Sequence, residues 1–164
     1  MSNFKTLKFG FMATAFATMA VFPALADSTI KVSLADKGGS MDLSVNMGLG
    51  MGMNGDMSKA IMSIETDVKT VPAGKVTFEV TNVSKETIHE MLISPVKDEK
   101  VVLPYVAAEG RLNEEASGDM GEVSELDPGK SGALTLDLKP GMYILYCNVP
   151  GHYTSGMWTT ITVE

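Results

Sequence analysis

Alternation of apolar and polar residues with a period of two is the feature that most restricts the fold of this chain. Three segments rich in Val, Ile, Thr, Leu and Phe show it: residues 75–83, 133–138 and 158–163. Such alternation is typical of half-buried β-strands. Proline and glycine predict turns between strands at residues 71–74, 127–130 and 139–141. Since no long amphipathic helical pattern follows Asp27, the sequence predicts an all-β fold, an antiparallel sandwich or barrel.

The size and charge of the chain narrow the kinds of partner it can have. A length of 164 residues with 45% hydrophobic content fits one compact domain with a sizeable core. Beyond the first 26 residues, the chain carries 11 basic and 20 acidic residues. This excess of negative charge argues against a nucleic-acid partner, because phosphate binding depends on Lys and Arg. It favours salt-sensitive docking to a basic protein, although an ordinary solvated surface explains the same charge.

The first 26 residues have the pattern of a secretory signal peptide. Two lysines form a basic start, residues 9–22 are an apolar run, and Ala-Leu-Ala at 24–26 is a small-residue cleavage site. A retained membrane anchor is the alternative, but the run is shorter than the roughly 20 residues that span a bilayer. We therefore expect cleavage after Ala26, a mature chain that begins at Asp27 without a membrane span, and a periplasmic location.

The only cysteine of the chain lies in an unusual setting. Since Cys147 has no second cysteine to pair with, the expected oxidising compartment cannot give it an intramolecular disulfide. Residues 146–157 read Tyr-Cys-Asn-Val-Pro-Gly-His-Tyr-Thr-Ser-Gly-Met, which spaces Cys147, His152 and Met157 as C-x4-H-x4-M. This loop joins two predicted strands, so it can direct three side chains toward one point. The other histidine of the chain, His89, begins a strand-like run and is the candidate fourth ligand.

A thiolate, two imidazoles and a thioether form a donor set that suits copper. The thiolate favours Cu(I), imidazole suits both oxidation states, and a weak axial methionine completes a trigonal site that satisfies neither state fully. Structural zinc sites rarely use a thioether, and one cysteine is few for a closed zinc site. Taken singly, each of these residues has an ordinary structural role. Together they predict one copper ion per chain, held by His89, Cys147, His152 and Met157.

Residues 146–158 resemble the ligand loop of the cupredoxins, the type 1 or blue copper proteins, and the spacing is similar to that of rusticyanin and sulfocyanin. Residues 82–93 resemble the segment that carries the upstream histidine in this family. With the Pro128-Gly129 turn and the strand before the cysteine, the resemblance covers roughly residues 75–164.

The resemblance to cupredoxins implies a Greek-key β-sandwich that carries single electrons. It implies that His89 and Cys147 lie deep in the site and that His152 lies nearest the surface. It also implies a redox partner such as a cytochrome, a reductase or an oxidase. We expect the protein to be a monomer.

Two neighbours of His89 are alternative ligands. On a strand, Met91 points to the same face as His89 and Glu90 to the opposite face. Met91 is therefore a rival axial donor, although packing in the core is the favoured explanation. Glu90 is expected to be a solvated or hydrogen-bonded surface group. If Glu90 bound the metal instead, the site would be harder and more suited to catalysis.

A second cluster of soft ligands lies nearer the N-terminus. Six methionines crowd a glycine-rich segment: Met41, Met47, Met51, Met53, Met57 and Met62. Thioethers bind Cu(I), so this segment is a candidate for copper capture, while an apolar linker with packed methionines explains the same pattern. We divide the chain into a signal segment 1–26, an N-terminal part 27–70 with the methionine-rich segment, and a copper-binding core 71–164.

Three functions fit these features. The first is an exported mononuclear type 1 copper protein that carries one electron and is not an enzyme. The second is a periplasmic copper-handling protein for tolerance, Cu(I) capture or metallation, which would exchange copper with a trafficking protein. The third, a small copper enzyme, is the least supported, because no histidine remains to build an open coordination position or a second metal site.

Overall fold

The computed structural model describes residues 27–38, 46–51 and 57–164. The predicted signal segment 1–26 lies outside the described residues, as do Met41 and Met53. No helix in the described part is both long and apolar enough to cross a membrane. The elements are β1 Ser28–Asp36, a 3-10 turn Met57–Lys59, β2 Met62–Thr66, β3 Thr70–Val71, β4 Gly74–Asn82, β5 His89–Val96, β6 Tyr105–Val106, β7 Arg111–Leu112, α1 Glu114–Ser117, β8 Glu122–Leu126, β9 Ser131–Leu138, β10 Gly141–Tyr146 and β11 Trp158–Val163.

Two open sheets form the fold. One has the strand order β2-β1-β4-β9 and the other the order β3-β11-β10-β5-β8, while β6 and β7 form a separate short hairpin. The predicted all-β sandwich is confirmed, and the described strands do not close into a barrel. The predicted strands 75–83, 133–138 and 158–163 correspond to β4, β9 and β11.

Both sheets are mixed, which corrects the expectation of purely antiparallel pairing. β1 pairs in parallel with β4, from Ser28 opposite Val76 to Leu34 opposite Asn82. β3 pairs in parallel with the end of β11. Parallel neighbours need a connection of a dozen residues or more. The 37 residues between the end of β1 and the start of β4 supply such a connection.

Apolar residues are buried on both sides of the five-stranded sheet. Its inner face meets the alternating apolar residues of β1 and β4, such as Ile30 and Phe78, which are fully buried. Its outer face carries a second cluster, in which Leu92, Ile144 and Tyr146 pack against Leu49, Leu103, Leu112 and Tyr153. Because segments outside the two sheets cover this outer face, β5 is buried along almost its whole length.

On sequence grounds the polar stretch 109–125 is expected to be a long surface loop with a short helical turn, but the structure shows more regular elements there. The helical turn is present as α1, where Asn113 Oδ1 accepts a hydrogen bond from the Ala116 amide at 2.9 Å. However, β7 and most of β8 also lie in this stretch, and β8 pairs with β5 at the edge of the five-stranded sheet. The sequence conceals β8 because it is an edge strand whose exposed positions are polar: Glu122, Ser124 and Glu125.

Candidate metal centre

The candidate ligands come from two neighbouring strands and the loop that follows one of them. β5 and β10 pair antiparallel, with Leu92 opposite Tyr146, so His89 at the start of β5 and Cys147 just after β10 lie at the same end of the sheet. The ligand loop, residues 147–157, then connects β10 to its other neighbour β11. The Cys147 amide donates to the Met157 carbonyl oxygen at 3.1 Å, which closes the loop at its base.

Three of the four predicted ligands converge on one point. His89 Nδ1 lies 3.2 Å from His152 Nδ1, which lies 3.3 Å from Cys147 Sγ. The donor atoms of all three residues lie within 4.8 Å of one another. His89 and Cys147 are 0% exposed and His152 is 3% exposed, so the implied order of depth is confirmed although even His152 is buried. The donor set fits copper, because one thiolate and two imidazole nitrogens face each other in a pocket closed to water.

Two methionines lie in the buried cluster that contains Cys147. Met157 is fully buried and belongs to the same core cluster as Cys147. Its amide donates to the His152 carbonyl oxygen at 3.1 Å, so the backbone holds it beside the histidine. Met91 is also fully buried in this cluster. The structure therefore brings both candidate axial residues into the core around the cysteine.

Burial sets the protonation of the three donors. Burial raises the pKa of the Cys147 thiol to about 12, against the smaller opposing effect of the Glu90 amide. Burial and the neighbouring His89 lower the pKa of His152 to about 4. Burial also lowers the pKa of His89, and Asp36 partly offsets this shift. At neutral pH the metal-free site therefore holds a thiol and two neutral imidazoles, and only the thiol must lose a proton to bind a metal.

Glu90 differs from the expectation of a surface group. The residue is only 7% exposed, and its backbone amide lies 3.5 Å from Cys147 Sγ. Burial raises the pKa of its carboxyl group to about 7, with a further contribution from Glu122. Among the described residues, its carboxylate is not part of the group that converges with the cysteine. Glu90 therefore contacts the sulfur through its backbone.

The ligand loop is held on one side by the segment 110–114. Asn148 Oδ1 accepts a hydrogen bond from the Leu112 amide at 2.7 Å, and its Nδ2 donates to the Leu112 carbonyl oxygen at 3.1 Å and to Glu114 Oε1 at 2.9 Å. The Gly151 amide donates to the Gly110 carbonyl oxygen at 2.8 Å. The sequence did not reveal a role for this polar stretch, and the structure identifies it as a support for the loop.

The segment 46–51 holds the other side of the ligand loop. The Met47 amide donates to the Thr154 carbonyl oxygen at 2.8 Å, and the Met47 carbonyl accepts a hydrogen bond from Trp158 Nε1 at 2.7 Å. Leu49 is 1% exposed within the outer cluster. Of the methionine-rich segment, Met47 and Met62 are buried as packing residues.

An acidic residue that the sequence did not single out lies behind His89. Asp36 is the last residue of β1, and its Oδ2 lies 3.5 Å from His89 Nε2. The Gly38 amide donates to Asp36 Oδ1 at 3.0 Å. Burial alone would raise the pKa of this carboxyl group, but Thr87, the Gly38 amide and His89 together lower it, so it is ionised at neutral pH. Its only local sequence signal is the Asp-x-Gly pattern of a turn after a strand.

Comparison with known proteins agrees with this fold. The model of the sulfocyanin (SoxE) domain matches residues 70–164. Reduced auracyanin from the photosynthetic bacterium Roseiflexus castenholzii is similar in fold, with a TM-score of 0.50 and 22% identity over 86% of this chain and 99% of that chain. Rusticyanin from Thiobacillus ferrooxidans is also similar, with a TM-score of 0.52 and 20% identity over 83% of this chain and 77% of that chain. No curated protein sequence matches the chain.

Proposed function

This chain belongs to the sulfocyanin (SoxE) domain family of cupredoxins, with one copper ion per chain, and from that premise we propose that it is an exported one-electron carrier. The observation that carries the proposal is the convergence of Cys147 Sγ with two imidazole nitrogens in a buried pocket. Copper, when bound, supplies a couple that takes up and releases one electron.

In this proposal the ligands are His89 Nδ1, Cys147 Sγ, His152 Nδ1 and, as a weak axial donor, the Met157 thioether. The distances between the first three donors support the assignment, because these atoms lie together around one point. Donors that are in place need little movement when an electron arrives or leaves, which keeps the cost of reorganisation low. Met157 is preferred to Met91 because the ligand loop itself positions it next to His152.

The burial of the site supports electron transfer over catalysis. None of the four proposed ligands is more than 3% exposed, so a substrate has no direct approach to the donors. An electron needs no such opening. His152 is the ligand nearest the surface, and we propose that electrons leave and enter on its side, toward a redox partner protein. The acidic surface favours a partner with a basic docking face.

Export is the second part of the proposal. The basic, apolar and small-residue order of residues 1–26 supports a cleaved signal peptide and a periplasmic location. Expression of the full chain in a Gram-negative host, followed by N-terminal sequencing of the periplasmic fraction, tests it. A mature chain that starts at Asp27 is expected, and an uncleaved chain in the cytosol or membrane fraction would contradict it.

Metal analysis and electrochemistry of the purified mature protein test the electron-carrier function. We expect one copper per chain, an intense blue band, a reversible midpoint potential and fast electron exchange with a cytochrome c. Several Cu(I) ions per chain that are lost when residues 41–62 are deleted, without a reversible couple, would favour copper handling instead. Burial of Met47 and Met62 as packing residues argues against that outcome.

A further inference from the structure

The contact between Asp36 and His89 joins the two sheets directly behind the metal centre. Asp36 Oδ2 lies 3.5 Å from His89 Nε2, at the outer limit of a hydrogen bond. Both atoms are buried, and neither is hydrogen-bonded, to the other at this distance and angle or to any other described residue. Buried polar atoms are nearly always paired. Each atom is therefore the available partner of the other.

The two nitrogens of the His89 ring face different groups. Nδ1 faces His152 Nδ1 at 3.2 Å, on the side of the metal centre, while Nε2 faces the carboxylate. A neutral imidazole carries one N–H, and its hydrogen-bond partner decides which nitrogen has the proton. An acceptor at Nε2 keeps the proton there and leaves the Nδ1 lone pair directed at the metal position.

The surroundings of Asp36 hold the carboxylate in place and leave its charge unpaired by any cation. The Gly38 amide holds Oδ1 at 3.0 Å, so the side chain cannot turn away without losing that hydrogen bond. The Lys37 ammonium donates to the Ala60 carbonyl oxygen at 3.1 Å. Within the described part of the chain, His89 is the only basic side chain within ion-pair distance of Asp36. A negative charge therefore lies one imidazole ring away from the metal position.

We propose that Asp36 is a positioning residue for the copper site, which fixes His89 as the Nε2–H tautomer and lowers the reduction potential through its negative charge. The inference rests on the proposed function, because it takes His89 Nδ1 as a copper ligand. A carboxylate behind a ligand histidine makes the imidazole more electron-rich and favours the more positive metal ion. Asp36 thus stabilises Cu(II) relative to Cu(I).

A purely structural role makes a different prediction. If Asp36 only ties β1 to β5, its replacement changes the free energy of unfolding and leaves the tautomer and the potential unchanged. The Asp36→Asn variant separates these roles, because its amide oxygen can still accept from Nε2–H while the charge is lost. Asp36→Ala removes both the acceptor and the charge.

Asp67→Asn is the matched control for the loss of one negative charge. Asp67 accepts a hydrogen bond from the backbone amide of Lys31, nearer the middle of β1. Lys31 and Asp36 are five residues apart, which is about 17 Å along a strand. The control therefore changes the net charge equally but far from His89.

The first measurement is 15N NMR of the imidazole rings in the copper-free protein. We expect the proton of His89 on Nε2 in the parent and in Asp36→Asn, and a mixture of tautomers in Asp36→Ala. A proton on Nδ1 in the parent would overturn the inference. This readout needs no copper, so it decides the positioning role even if the electron-carrier function is wrong.

The second measurement is the midpoint potential of the copper-loaded variants. Asp36→Asn should favour Cu(I) over Cu(II) about tenfold relative to the parent, because the loss of such a partner typically changes metal affinity by about ten- to a hundredfold. For one electron this shift equals about +59 mV. Asp67→Asn should stay at the parent value, and equal shifts in the two variants would overturn the role of Asp36. A parent protein without a blue, reversible centre would instead reject the proposed function.

Discussion

The two histidines of the metal centre are held in place by different means. His89 begins a buried strand that has neighbours on both sides in its sheet, and Asp36 of the opposite sheet contacts its ring. His152 lies in the ligand loop, and within the described part of the chain its ring makes its hydrogen-bond contacts to the candidate ligands His89 and Cys147. The loop depends on hydrogen bonds to two segments outside the sheets, around Met47 and around Leu112.

Because of this difference, substitutions that affect the fold and substitutions that affect the geometry of the metal centre lie in different parts of the chain. Substitutions near His89 affect the packing of the two sheets, because strands from both sheets meet there. Changes in the ligand loop act on the positions of Cys147, His152 and Met157 and leave the strand pairing in place. The two sheets therefore fix the position of His89, and the hydrogen bonds of the ligand loop set the positions of the other three proposed ligands.

The largest effect is expected from Cys147→Ser, which removes the thiolate from the loop side of the site. The thiolate bond to copper is the source of the intense absorption, so the blue band should be lost completely. Because Ser is similar in size, circular dichroism of the metal-free variant should remain that of a folded β-protein. A variant that stays blue would contradict the assignment of Cys147.

Acid should weaken copper binding strongly, because the pKa of the Cys147 thiol is raised to about 12 in the metal-free protein. At every pH below this value, binding must release one proton, so affinity should fall about tenfold per pH unit as the pH is lowered. Near pH 4, where His152 also becomes protonated, the fall should become steeper. Competition with a Cu(I) chelator at several pH values measures this slope.

The Cys147→Ser variant is the control for the pH dependence. Without the thiol, the one-proton slope should disappear at neutral pH, while the steeper fall near pH 4 should remain. An affinity of the parent protein that does not change with pH would exclude the thiolate as a ligand.

A moderate effect is expected from Asn148→Ala, which removes the support that the segment 110–114 gives to the loop. The variant leaves the amide and carbonyl of buried Leu112 without partners, which should cost about 1–3 kcal/mol in the free energy of unfolding of the metal-free protein. Copper should also dissociate faster, because the residue next to Cys147 is no longer held. Urea denaturation and stopped-flow chelation measure the two effects.

Asn113→Ala provides the matched control for the loop support. It removes the N-cap of α1, which should cost about 1 kcal/mol, but leaves the hydrogen bonds of the ligand loop intact. Stability should therefore fall in both variants, while copper dissociation should accelerate only in Asn148→Ala. Equal dissociation rates in the two variants would show that Asn148 does not support the metal centre.

The smallest effect is expected at Met157, where replacement should adjust the potential and keep the blue colour. Met157→Gln supplies a harder oxygen donor and should lower the midpoint potential, whereas Met157→Leu removes the donor and should raise it. Both replacements are close to methionine in size, so packing alone predicts no opposite shifts. The same two substitutions at Met91 are the control. If the potential responds at Met91 and not at Met157, the axial ligand is Met91.

The ligand loop could be predicted from the sequence because its signal is local. Cys147, His152 and Met157 lie within one short segment, and His89 followed because the chain has only one other histidine. Strands β4, β9 and β11 were equally readable, since alternation is a local property. The parallel pairs of β1 with β4 and of β3 with β11 were not, because they join distant segments.

The groups that support the ligands were not predictable for the same reason. Asp36 is one of 20 acidic residues, and its contact with His89 depends on how the two sheets pack. Asn148 gave no signal because its partners at Leu112 and Glu114 lie in a polar stretch without periodicity. Glu90 was misjudged because strand alternation assigns one face to solvent, whereas both faces of β5 are covered.

The long separation between His89 and the ligand loop has a consequence for the kinetics of folding. The two histidines of the metal centre are 63 positions apart in the sequence, and they meet only when β5, β10 and β11 are paired. Closing such a distant contact is slow and unfavourable until much of the sandwich has formed. The fourth ligand therefore becomes available to a metal ion only after these strands have paired.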